Sequence, residues 1–292
     1  MDEIELVALY WTVSGPVQVH TGREWSLFDW RDRCAEAARV GFRGLGLWHA
    51  DVAHQLKTRT LKEMKSIFDD AGLRYLEVEF LADFFVPAGE PARQESDRLR
   101  RQLYETAAAF GECAHHIKVG NIPETPCELD RLVEEYAALC DDAAQHTGAK
   151  VAYEIIPFDP NVHTLEDGLR LVSQADRPNG GLAIDTWHMG KLRISPDELT
   201  RVPGEYLAWV ELSDAPSVEY MEDPIDEVIN HRRLPGEGEF DIPGYVEALS
   251  RAGYPGPWGV EVLSEELRNL PIEEEFNRAY ETTRAQFRAG VA

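Results

Sequence analysis

Basic residues are scarce in this chain: 29 Lys and Arg stand against 53 Asp and Glu over 292 residues, a formal charge of −24. That surplus opposes approach to phosphate backbones and anionic membrane surfaces, so neither nucleic acid nor membrane is expected as a partner. A locally basic pocket can still hold an anion. Long apolar runs are missing as well. No stretch approaches the roughly 20 residues that a bilayer span requires. The opening MDEIELVALYW lacks the basic region, apolar run and small-residue cleavage site of a secretory signal. Cysteine is sparse, and Cys34, Cys113, Cys127 and Cys140 show no paired metal-type spacing. Free, buried thiols in a reducing cytoplasm are the expectation. No low-complexity stretch or linker divides the chain.

What is present is a regular alternation of strand and helix signals, with 43% hydrophobic residues to build a core. IELVALYWTV (4–13) reads as a first strand, and Ser26 as the cap of an amphipathic helix carrying Leu27, Trp30 and Cys34 on one face and ending at Gly41. GLGLWHA (44–50), a helix from Thr60 to Gly72, YLEVEFL (75–81), a helix from Ala92 to Gly111 and HHIKVGN (115–121) continue the pattern. A helix from Glu128 to Gly148, strand five with Glu154, a helix from Thr164 to Ala175 and a sixth strand in GGLAID follow. A short helix from Pro196 to Arg201, a seventh strand in LAWVELSD, a helix from Pro243 to Gly253, an eighth strand in GPWGVEVL and a closing helix from Ile272 to Ala289 complete it. Eight such units in one chain of this length fit a single (β/α)8 TIM barrel spanning residues 1–292.

The last four strands carry acids in phase. Alternate side chains of a strand face opposite ways. One parity of VAYEI, LAID, AWVEL and WGVEV is wholly apolar; the other pairs Ala152 with Glu154, Ala183 with Asp185, Trp209 with Glu211 and Gly259 with Glu261. A lone strand-end acid is ordinarily answered by a basic neighbour. Four converging in a barrel interior would drive each other's pKa upward, a conflict that a divalent cation removes by taking several oxygen ligands. Glu154, Asp185, Glu211 and Glu261 are therefore the candidate metal ligands.

Lys118 shares the inward parity of strand four with His116 and needs an anionic partner, either Glu79, a ligand carboxylate or the substrate. Ala215 to Phe240 is the longest loop after a strand and a natural lid, from which Arg232 and Arg233 are candidates to close over a substrate. Gly236 and Gly238 read as turn residues. Trp11, Trp48, Trp187 and Trp209, with Phe84 and Phe85, are candidates for an aromatic wall suited to a sugar ring or cyclic polyol. Apolar residues on the outer helices hint at a homo-oligomer.

The segments YEIIPF, IDTWH, WVELSDA, RRLPGEGEFD and GYPGPWGVEV, together with the alternation, resemble the xylose isomerase-like TIM barrels of the sugar phosphate isomerase/epimerase family. The resemblance covers nearly the whole chain. It implies one divalent ion held by the acids of strands five, six and eight and the strand-seven residue, which here are Glu154, Asp185, Glu261 and Glu211. It also implies that His188, three residues past Asp185 on the loop leaving strand six, touches substrate oxygens. Where many epimerases carry His on strand seven, this chain has Glu211, and the VELSD and RRLPGEGE segments are similar to those of 3-dehydroshikimate dehydratases. An all-oxygen shell favours Mn2+ or Mg2+ over Zn2+ or Co2+.

The implied chemistry is proton abstraction beside a carbonyl, with Glu154 and Glu261 as acid/base groups and His188 and Lys118 positioning oxygens. Trp187, Trp48, Arg232 and Arg233 complete the expected substrate contacts. Isomerisation or epimerisation of a keto-sugar or cyclic polyol is the expected outcome, with a dehydratase of a keto-cyclitol, 3-keto-sugar or dehydroshikimate-like compound as the alternative. Endonuclease IV-like DNA repair is a more distant one, since it would want a basic rim that the charge of −24 does not supply.

Overall fold

The computed structural model describes residues 4–121 and 125–287. Eight parallel strands close on themselves in sequence order: β1 (Leu6–Ala8), β2 (Gly44–Trp48), β3 (Tyr75–Leu81), β4 (Ala114–Val119), β5 (Lys150–Glu154), β6 (Gly180–Asp185), β7 (Leu207–Leu212) and β8 (Trp258–Val260). Closure pairs Leu6 with Trp258 and Ala8 with Val260. Thr12 stitches the seam further on, its hydroxyl donating to the Val260 carbonyl at 2.7 Å and accepting from the Val262 amide at 2.8 Å. The expected barrel is the barrel found.

The two parities separate as the alternation requires. Val151, Tyr153, Ile155, Leu182, Ile184, Val210 and Leu212 face outward into the main core beneath the helices. Val7, Leu9, Ala152, Ala183, Ala208 and Trp209 form a smaller cluster of their own. They fill the barrel's inside, where small residues leave room for one large ring. Gly259 shows how tight that fit is: a Cβ there would lie 2.7 Å from the Trp209 ring.

The helical shell comprises α1 (Trp30–Val40), α2 (His49–Gln55), α3 (Leu61–Asp70), α4 (Pro91–Phe110), α5 (Leu129–His146), α6 (Leu165–Ala175), α7 (Thr186–Lys191), α8 (Pro196–Leu199), α9 (Pro224–Asn230), α10 (Ile242–Arg251) and α11 (Ile272–Arg284). Thr60 starts α3 with a full capping box, its side chain accepting from the Glu63 amide while Glu63 accepts from the Thr60 amide, worth about 1 kcal/mol. None of the helices among the described residues is long and apolar enough to cross a membrane.

Several local expectations are corrected. β1 stops at Ala8 and Tyr10–Thr12 turn as a 3-10 helix, because Trp11 leaves the barrel wall to pack edge-on against Trp48, ring centroids 4.9 Å apart. Asp29, not Ser26, caps α1 by accepting from the Arg31 amide; the Ser26 hydroxyl lies a turn earlier, donating to the Ser14 carbonyl and accepting from the Phe28 amide, and Leu27 is 63% exposed rather than on the buried face. GLGLW ends β2, and His49 already begins the short α2. Cys34 and Cys140 are buried free thiols, whereas Cys113 and Cys127 are only half-buried. The last residues of the expected closing helix, 288–289, lie outside the described residues.

Candidate metal centre at the barrel mouth

The inward parity of β5 to β8 delivers Glu154, Asp185, Glu211 and Glu261 to one place, the C-terminal end of the barrel, with Asp185 directly paired in register to Glu211. One ligand oxygen from each of the four lies within 4.8 Å of the others, and all four side chains are buried. Lys118 enters the same space from β4. Its ammonium lies 2.6 Å from Glu261 Oε1, 2.9 Å from Glu211 Oε1 and 2.9 Å from Glu79 Oε2, with Glu77 Oε1 at 3.5 Å. Arg232 reaches in from the lid, donating to Asp185 Oδ2 at 2.6 Å and lying 3.6 Å from Glu261 Oε2. His188 places Nε2 at 3.2 Å from Glu154 Oε1 and 3.4 Å from Asp185 Oδ2.

Charge decides what this arrangement lacks. Six buried carboxylates, those four with Glu77 and Glu79, face two permanent cations, Lys118 and Arg232. His116 adds none, since burial and the nearby Lys118 push its pKa well down. Burial drives Glu211 well above the usual carboxylate range, with Glu261 adding to the push. Burial raises Glu79 well above it too, outweighing Lys118, and it raises Glu261 and Glu77. For Glu154 burial acts upward, but Lys118 and the hydrogen bond from His188 outweigh it and hold the group down at about 2. Burial likewise opposes the Lys118 ammonium, yet Glu211, Glu261 and Glu79 hold its pKa well above normal. Glu211 Oε2 is buried with no hydrogen-bond partner among the described residues. An under-compensated oxygen cluster with an orphaned carboxylate oxygen fits a divalent cation on charge and donor type.

Above this floor is a cavity of about 150 Å3. Its charged base is Glu79, Lys118, Glu154, His188, Arg232 and Glu261, and its walls include Trp11, Val19, Trp48, Phe80, Ile156, Phe158 and Leu263. Trp48 is part of that wall, its indole N–H held by Glu24 Oε2 at 2.9 Å. Helix α9 closes one side with Ile225, Val228 and Ile229.

Other expected contacts are not brought together. His188 sits within α7, not on a loop. Trp187 is fully buried behind the cavity, where the Arg232 guanidinium stacks 5.0 Å from its ring centre. Arg233 turns outward to Glu266 at 3.0 Å, because its backbone is bridged to Asp214 and the next side chain along an extended segment points the other way. Phe84 and Phe85 belong to the outer core and Trp209 fills the barrel under the site, so none of the three contributes to the wall. Glu77 was overlooked although it has the inward parity of Glu79 in YLEVEFL. The helix within the lid was overlooked too, although Asp223 caps it and Pro224 occupies its first turn.

A closed parallel barrel of eight strands with helices around it is the (β/α)8 architecture, here with acids gathered at its C-terminal mouth. The chain belongs to the xylose isomerase-like TIM barrel family, whose model matches residues 34–286. A 3-dehydroshikimate dehydratase of Pseudomonas aeruginosa is 28% identical over 240 residues, which is 80% of this chain but 36% of that enzyme, so the chain spans about a third of that relative's length. An inosose isomerase of Bacillus velezensis is 24% identical over 79% of this chain and 81% of that protein. The IOLI protein, solved with a binding zinc atom, superposes with a TM-score of 0.80 at 20% identity, covering 97% of this chain and 98% of that one. That likeness is one of fold.

Proposed function

We propose that the chain is a divalent-metal-dependent isomerase or epimerase of a keto-sugar or cyclic polyol, working through an enediolate. The observation that carries the reading is the convergence of four buried carboxylates at the ends of four successive strands, with Glu154 and Glu261 lining the base of an apolar-walled cavity. Glu154, Asp185, Glu211 and Glu261 would hold the ion, which would supply Lewis-acid polarisation of a substrate carbonyl. One of Glu154 and Glu261 takes the proton from the carbon beside that carbonyl. Either carboxyl returns a proton to the adjacent carbon or to the opposite face, giving isomerisation or epimerisation. His188, Lys118 and Arg232 donate to substrate oxygens as charge develops on them. Trp11, Trp48 and Phe158 exclude water and cover the CH-rich face of the ring. Mn2+ or Mg2+, a cytoplasmic setting and self-association belong to the same proposal. So does the bound zinc of the IOLI protein, as a precedent for a divalent ion in this fold.

Elimination is the second reading, favoured by the similarity to 3-dehydroshikimate dehydratase over 80% of this chain. One of Glu154 and Glu261 then removes the proton while the other, protonated, gives its proton to the β-hydroxyl, which leaves as water. Incubation of the Mn2+-loaded protein in D2O with a keto-sugar, a keto-inositol and dehydroshikimate separates the two. Solvent deuterium in recovered substrate or its isomer, without loss of water, supports isomerisation; an ultraviolet-absorbing enone or aromatic product supports elimination. Neither outcome with any of the three would sink the enolate chemistry for these substrates.

A further inference from the structure

Lys118, 2% exposed, touches Glu79, Glu211 and Glu261, carboxylates brought by three different strands. Its contact with Glu211 is selective for one oxygen. Oε1 accepts from Lys118 at 2.9 Å and also from the Trp209 indole N–H at 3.0 Å. Oε2, on the same carboxylate, has no hydrogen-bond partner among the described residues. The donors come from β4 and from two residues earlier on β7, and Glu211 also has an oxygen within 4.8 Å of ligand atoms of Glu154, Asp185 and Glu261, and one within that distance of Glu77 and His116. A carboxylate with one oxygen doubly anchored has a fixed rotamer and a single lone-pair-bearing oxygen left to give.

We propose that Lys118 and Trp209 act as a clamp on Glu211, holding Oε1 and leaving Oε2 as the one oxygen that Glu211 gives to the proposed ion. The proposal rests on the metal-site reading above. Toward the proposed ion Lys118 is a positioning residue, holding Glu211 and Glu261, in addition to the contact with substrate oxygens proposed above. Its ammonium also donates to Glu261 Oε1 at 2.6 Å, so part of its effect passes through that second acid, whereas the indole reaches Glu211 alone among the four.

The test is a pair of double-variant cycles read as Mn2+ affinity by titration calorimetry on the full chain. K118M is expected to weaken Mn2+ binding at least about tenfold and W209F about threefold. In the E211Q background both penalties shrink, that of W209F to nothing measurable and that of K118M by at least about threefold, because the group they orient is gone. Equal penalties in both backgrounds overturn the clamp, as does a K118M protein that binds Mn2+ like the wild type. Should K118M fail to fold, the W209F cycle alone decides. A wild-type chain that binds no Mn2+ or Mg2+ overturns the metal-site reading itself, an outcome distinct from loss of coupling in a chain that binds.

Discussion

Asp214 shows how a single carboxylate organises the mouth. It is fully buried and accepts from the backbone amides of Ala215, Gly236, Gly238 and Phe240 at 2.8 to 3.1 Å. Gly236 and Gly238 are therefore more than turn residues. A Cβ on Gly238 would sit 2.3 Å from the Asp214 carboxylate, so only glycine lets the loop wrap that closely. The antiparallel bridge between Asp214 and Arg233 then sets the side from which Arg232 enters the site. Asp214→Asn keeps the shape but exchanges an acceptor oxygen for a donor facing amide N–H groups. It should cost about 2–3 kcal/mol of stability by chemical denaturation and lower turnover more than an exposed control such as Arg251→Gln.

Glu275 makes a second residue-scale prediction, remote from the mouth. It is buried on α11, its Oε1 accepting from the Gly15 amide at 3.3 Å and its Oε2 unpartnered among the described residues. Burial pushes its pKa well above the usual carboxylate value, against the backbone bond and Arg33. A carboxyl raised in the folded state contributes stability that is present below its unfolded pKa and is lost as pH rises through the folded one. Glu275→Gln keeps the acceptor and removes the titration. The variant should match wild type in thermal melts below the unfolded carboxyl value and exceed it increasingly as pH rises above that value; an unchanged difference across that range would contradict the assignment.

At the scale of elements, the lid is the part with its own energetics. Lys191, at the end of α7, donates to Glu227 Oε1 at 2.5 Å and to the Ser217 and Glu219 carbonyls at 2.8 Å, with the Trp187 and Tyr220 rings 5.3 and 5.0 Å from its ammonium. Glu227 in turn accepts from the Met221 amide at 2.9 Å. Removing one partner of such a buried pair strands the other, at a cost of about 3–5 kcal/mol. Lys191→Met should accordingly speed hydrogen exchange across residues 215–231 while the barrel strands keep their protection. Uniform loss of protection would show that the lid is not a separate unit.

This division explains what could be read from the sequence. Barrel strands have a strict period of two and the helices a period near 3.6, so strand identity, helix order and the convergence of Glu154, Asp185, Glu211 and Glu261 were legible. Glu77 was equally legible, by the same parity. Short elements were not: α2 and α7 begin within one residue of a strand's end, where an apolar run such as IDTWHM suits either structure. Nor could spacing reveal which way Trp187 and Arg233 point, because each is decided by a tertiary contact, the Arg232 stack for one and the Asp214 bridge for the other. The clamp on Glu211 likewise joins β4 to β7, positions 93 residues apart in the chain.

At the scale of the whole molecule, the charge of −24 and the family assignment bear on partners together. A diffuse negative field slows phosphate-bearing macromolecules and leaves uncharged polyols unaffected. Abasic duplex DNA should show no salt-dependent retardation with this chain at low ionic strength, and a salt-sensitive complex would revive a repair function. The surplus recurs at the barrel mouth, where the buried carboxylates outnumber Lys118 and Arg232.

The most direct measurement of the central claim is anomalous diffraction from crystals of the chain grown with Mn2+. One manganese peak is predicted at the barrel mouth, within about 2.0–2.6 Å of an oxygen from each of Glu154, Asp185, Glu211 and Glu261, with Arg232 drawn off Asp185. Carboxylates still answered only by Lys118 and Arg232, with no peak among them at saturating Mn2+, would contradict it.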